Sequence, residues 1–199
     1  MKNIFVYCFS KKWSEGSKKM KNLLGGKGSG LAEMASIGLP VPAGFPITTE
    51  VCDLFYKNDR HYPDGLEKEV DANMRKLEKT VGKKFGDADD PLLVSVRSGA
   101  PLSMPGMMET ILNLGLNDRS VAGLAKKTGN RRFALDAYRR FIMMYGSTAK
   151  GIDREEFNHA FEALKNGRTR QRLAIPSHVK VNDTDVDENE LQELVGQFK

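Results

Sequence analysis

The chain has 199 residues, a 40% hydrophobic share and 19 glycines, which excludes a wholly disordered polypeptide because enough apolar surface exists to offset ordering entropy. Two cysteines, Cys8 and Cys52, exclude a disulfide-stapled scaffold and suit a reducing compartment, so a cytoplasmic chain, or one working inside an organelle, is expected. The formal charge of +5 permits anionic partners without arguing for nucleic acid, and no apolar run approaches the ~20 residues of a membrane span.

Ile4-Phe5-Val6-Tyr7 reads as a first strand rather than a signal peptide, and Lys11 to Lys21 as a charged loop. Leu23-Leu24 leads into a glycine-rich loop, Gly25-Gly26-Lys27-Gly28-Ser29-Gly30. Behind it Leu31, Met34, Ala35 and a stop at Gly38 make a short helix. Pro40, Pro42 and Pro46 impose an extended connection, and Thr48 or Thr49 caps a helix running through Cys52 and Phe55. Leu66, Val70, Met74 and Leu77 recur at helical spacing. The apolar run Leu92 to Val96, set between Asp89-Asp90-Pro91 and Arg97-Ser98-Gly99, predicts a buried strand. A loop from Ala100 to Glu109 and a second strand around Thr110 to Leu114 follow.

Beyond residue 116 only helices are expected. Phe133, Ala137, Phe141, Met144 and Tyr145 form one stripe on a helix that begins near Asn130. Asp153 with Glu156 opens another, ending at Gly167, and Arg168 to Thr184 reads as a loop. Asp185 with Glu188 opens the last, whose Leu191, Leu194, Val195 and Phe198 have no later element to cover them. The expected class is α+β: a mixed α/β part over residues 1–116 and a helical subdomain over 117–199.

The glycine run is the most informative segment. Glycines let backbone N–H groups approach phosphate oxygens, a following helix adds positive potential, and Lys27 can neutralise a polyphosphate. The other reading is a flexible hairpin with an incidental lysine. Walker A spacing asks for glycine where Lys21 stands and Ser or Thr where Gly28 stands; the dinucleotide pattern asks for glycine at Glu33. Neither common phosphate loop fits. Arg97, leaving the Leu92–Val96 strand, suits bidentate phosphate binding or a structural salt bridge. Met104-Pro105-Gly106-Met107-Met108 reads as an adaptable lid or as a plain turn. His61, His159 and His178 show no metal-ligand spacing, and no acidic cluster beside the glycine run offers to hold Mg²⁺. Arg168, Arg170 and Arg172 lack the interleaved aromatics of a stacking surface. Three function classes remain open: part of an enzyme that binds a polyphosphate, a stand-alone phosphate-binding or regulatory module, and a basic nucleic-acid binder.

These same residues resemble the pyruvate, phosphate dikinase family. The resemblance is carried by Leu23-Leu24-Gly25-Gly26-Lys27-Gly28, Leu31-Ala32-Glu33-Met34, Gly38-Leu39-Pro40-Val41-Pro42 and Asp90-Pro91-Leu92-Leu93-Val94-Ser95-Val96-Arg97-Ser98-Gly99-Ala100. Ser103 through Asp118 carries it most specifically. It implies the first lobe of an ATP-grasp nucleotide-binding domain. Lys27 and Arg97 would bind ATP phosphates, and Gly106, Met107 and Met108 would border the nucleotide. The family's reaction converts ATP, phosphate and pyruvate to AMP, pyrophosphate and phosphoenolpyruvate. Its Mg²⁺ ligands, its second ATP-grasp lobe, its phosphohistidine domain and its pyruvate-binding barrel are not matched here. Those domains are the expected partners, within a homodimeric parent, with no nucleic acid and no membrane. The segment alone is expected to be inactive, and it carries no catalytic residue of its own.

Overall fold

The computed structural model describes residues 4–11, 13–100 and 109–199. It is an α+β chain of eight α-helices and three small two-stranded sheets among the described residues. The chain divides into two compact units: the part up to Gly82 rejoined by the segment from Ser98, and Lys83–Arg97 with Glu109–Lys199.

In the first unit, β1 (Phe9–Ser10) and β2 (Trp13–Ser14) pair antiparallel, and α1 (Lys21–Ser36), α2 (Glu50–Lys57) and α3 (Leu66–Val81) follow. The predicted first strand is reduced to single bridges, Val6 to Ile47 and Phe9 to Gly44. Tyr7 donates its N–H to Pro46 O at 3.1 Å and Thr48 its N–H to Phe5 O at 2.8 Å, and a side chain adds to this: Phe5 and Val6 donate their N–H groups to Glu69 Oε2 at 2.8 and 3.1 Å. Phe5, Val6, Val51 and Leu66 form the core. Thr49 precedes α2 as expected, but its hydroxyl donates to Asn22 O at 2.6 Å rather than accepting from the helix.

In the second unit, β3 (Lys84–Phe85) pairs parallel with β4 (Pro91–Leu92), and β5 (Val94–Arg97) pairs antiparallel with β6 (Thr110–Leu114). The single buried strand expected over Leu92–Val96 is therefore two short ones. Burial ends early: Leu92 is buried, but Val96 is 46% exposed. Helices α4 (Ser120–Thr128), α5 (Arg131–Ala149), α6 (Arg154–Leu164), α7 (Arg170–Arg172) and α8 (Glu188–Gln197) complete the unit.

Asn130 caps α5, accepting from the N–H of Phe133, yet Phe133 itself is half exposed. The buried face is Ala134, Leu135, Ala137, Tyr138 and Phe141. Asp153 caps α6. That helix does not stop at Gly167: it passes through a π-turn, Lys165–Thr169, into α7, so part of the expected loop is helical. The last helix starts two residues later than predicted, because Asp187 and Glu190 form its capping box. Asp185 instead closes a 3₁₀ turn with Asn182. Leu191, Leu194 and Val195 are buried, against Leu135, Phe161 and Val186 and beside Tyr138 and Phe141. The stripe expected to lie uncovered is thus packed.

Candidate functional site

The glycine run is not a loop ahead of a helix. It lies inside α1, broken at one residue only: Gly25 has φ 70° and ψ 169°, and the helix resumes at Gly26. Glycine is a poor helix former, so packing must favour this arrangement. Two close approaches account for it. A Cβ on Gly28 would lie 2.9 Å from Pro46 Cβ, and one on Gly25 would lie 2.2 Å from the carbonyl oxygen of Gly99. Gly30 has no such neighbour.

The break is fixed by hydrogen bonds. Ser29, buried, donates its hydroxyl to Gly25 O at 2.7 Å. Gly26 donates its N–H to Ala100 O at 3.1 Å. Two segments far apart in sequence, Gly25-Gly26 and Gly99-Ala100, are thereby clasped backbone to backbone. The first N–H groups of a resumed helix are the ones that lack an intrahelical acceptor, and they carry the positive end of its dipole.

Lys27 stands in this first turn and is half-buried. Arg97 stands at the end of β5, opposite Thr110, and is exposed. Lys27 belongs to the first unit and Arg97 to the second. Gly106, Met107 and Met108 lie outside the described residues. Sequence reasoning missed Ser29, whose hydroxyl holds the break, and Pro46, on which Gly28 rests. The glycine run itself marked where a backbone comes close, without saying which one.

Among the described residues there is no group of three or more His, Cys, Asp or Glu side chains that could hold a metal ion. No described helix is long and apolar enough to cross a membrane. The basic run near the C-terminus is engaged internally. Arg168 pairs with Glu193, Arg170 donates to Val179 O at 2.9 Å, and Arg172 binds Glu190 at 3.1 and 3.2 Å.

Residues 21–64 match the family model described as "Pyruvate phosphate dikinase, AMP/ATP-binding domain". The chain is similar to pyruvate, phosphate dikinase of Entamoeba histolytica, 50% identical over 97% of this chain and 20% of that protein. The enzyme of Clostridium symbiosum is 48% identical over 94% of this chain and 20% of its own length. The chloroplastic enzyme of Mesembryanthemum crystallinum is 49% identical over 98% and 19%. The chain therefore spans about a fifth of the length of the curated relatives it matches.

Proposed function

We propose that this chain, related by sequence to the pyruvate, phosphate dikinases over nearly all its length, is a segment of such an enzyme that holds the polyphosphate of ATP. On this reading it contributes the first lobe of an ATP-grasp domain. Lys27 meets phosphoryl oxygens as a mobile point charge beside the N–H groups of the resumed helix, and Arg97 supplies a planar bidentate fork from a strand end. Gly106, Met107 and Met108 border the nucleotide. The parent reaction is the conversion of ATP, phosphate and pyruvate to AMP, pyrophosphate and phosphoenolpyruvate. The other lobe, the phosphohistidine domain and the pyruvate barrel belong to the rest of the parent, which works as a homodimer with Mg²⁺ bound outside this chain.

One observation supports the reading above the others. The clasp of Gly25-Gly26 on Gly99-Ala100 fixes the helix start that bears Lys27 against a second stretch of backbone. The crossing leaves no room for a side chain on Gly25, and the positive end of the resumed helix favours an anion beside Lys27.

The test is a titration of the 199-residue chain with ATP, alongside Lys27→Ala and Arg97→Ala. Binding weakened by both substitutions supports the assignment; unchanged binding in both removes it. The same preparation given ATP, phosphate and pyruvate should form no AMP above blank.

A further inference from the structure

We infer that Asn113 is a positioning residue for Arg97: its left-handed backbone creates the bulge in β6 that lets Ile111 enter the core while Arg97 stays on the open face of the hairpin. This rests on the reading of Arg97 as a phosphate ligand. Three observations carry it. Val94 pairs with Leu114, but Val96 pairs with Ile111 and Arg97 with Thr110, so β6 holds one more residue than β5 between these pairs. Within that stretch of β6, Asn113 has φ 59°, a region that most side chains avoid and asparagine tolerates. Along β6 burial follows the shifted frame, although Val96 across from Ile111 is 46% exposed. Ile111 and Leu116 are buried and Leu114 packs against them, whereas Leu112 is 45% exposed.

The consequence for Arg97 follows from strand geometry. Residues directly opposite one another in an antiparallel pair project to the same face. If the frame set by Val94 and Leu114 ran on without the bulge, Arg97 would stand opposite Ile111. Arg97 would then have to enter the core or Ile111 would have to leave it, since a one-residue slip exchanges faces. With the bulge, Ile111 meets Val96 and Arg97 meets Thr110, and neither conflict arises. Bulges of this kind re-aim side chains beside functional sites.

The experiment uses the 199-residue chain with ATP as the probe and compares Asn113→Val, Asn113→Gly, Arg97→Ala and the double variant Arg97→Ala/Asn113→Val. Valine resists the left-handed region and glycine adopts it freely. Asn113→Val should weaken ATP binding about ten-fold or more, as Arg97→Ala does. Asn113→Gly should bind as the parent chain does, and the double variant should bind no more weakly than Arg97→Ala alone. If Arg97→Ala weakens binding while folded Asn113→Val does not, the positioning role is wrong and the phosphate reading stands. If Arg97→Ala leaves binding unchanged, the phosphate reading fails and takes the inference with it. Cross-strand NMR proximities give a readout that needs no nucleotide, and the milder Asn113→Ala serves should the valine chain not fold. Persistence of the Arg97–Thr110 pairing in the substituted chain would overturn the inference.

Discussion

Gly25 and Gly99 touch, and the contact makes opposite demands on them. A Cβ on Gly25 would sit 2.2 Å from the Gly99 carbonyl oxygen, while a Cβ on Gly99 would meet nothing within 4 Å among the described residues. Gly25 also carries φ 70°, so its own backbone disfavours any side chain. Only one of the two glycines is required by packing, and it is the one at the helix break.

Gly25→Ala should therefore destabilise the chain by about 2–4 kcal/mol, from overpacking against backbone plus left-handed strain. Gly99→Ala should stay within about 0.5 kcal/mol of the parent, since its methyl group meets no described residue within 4 Å. Denaturant titration of both variants decides this. Equal losses would mean that the contact is not the cause.

Lys27→Ala and Arg97→Ala should each remove a charge-assisted contact to ATP, worth about 1.5–3 kcal/mol or roughly ten- to a hundred-fold in Kd. Thermal stability should hardly change for Arg97→Ala, because that side chain is exposed. Calorimetric titration with ATP at low and high salt reads both effects, and the parent chain should show the steeper salt dependence.

The three C-terminal arginines should separate by burial of their partners. Arg172 binds Glu190, which is 4% exposed and also accepts from Thr169 at 3.1 Å. Arg172→Ala leaves that carboxylate short of a donor and should cost about 1–3 kcal/mol. Arg168 and Glu193 are both more than half exposed, and Arg168→Ala should cost less than about 1 kcal/mol. Comparable unfolding midpoints for the two variants would contradict this.

Stability should fall at alkaline pH through Tyr138. Its hydroxyl donates to Asp118 Oδ1 at 3.1 Å, and burial, then the Asp118 charge, push its pKa up from 10.0 to about 12. A raised pKa means that the folded state keeps its proton longer than the unfolded chain does. The contribution is present in full below pH 10 and is lost as pH rises toward about 12. Two pH units correspond to about 2–3 kcal/mol. Unfolding midpoints measured from pH 9 upward should drop across this window, and Tyr138→Phe should flatten the drop.

The helices were legible in sequence wherever a local rule fixes them. Leu66, Val70 and Leu77 lie in α3, Asn130 caps α5 and Asp153 caps α6, because apolar spacing and a capping oxygen act within a few residues. The capping pattern also misled for a local reason. Asp185 with Glu188 and Asp187 with Glu190 are the same motif two residues apart, and only the pairing of Asp185 with Asn182 selects the second.

The sequence by itself determined the α+β character, the presence of Lys27 in a glycine run and of Arg97 at a strand end. These follow from residue type and short-range periodicity. Tertiary structure alone decided that the run is a broken helix, that Gly25 rests on Gly99, and that one extra residue in β6 keeps Ile111 buried opposite Val96. Each of these depends on a backbone more than a dozen residues away, or on a pairing frame that no window of sequence contains. A glycine announces that something comes close; only the folded chain says what does.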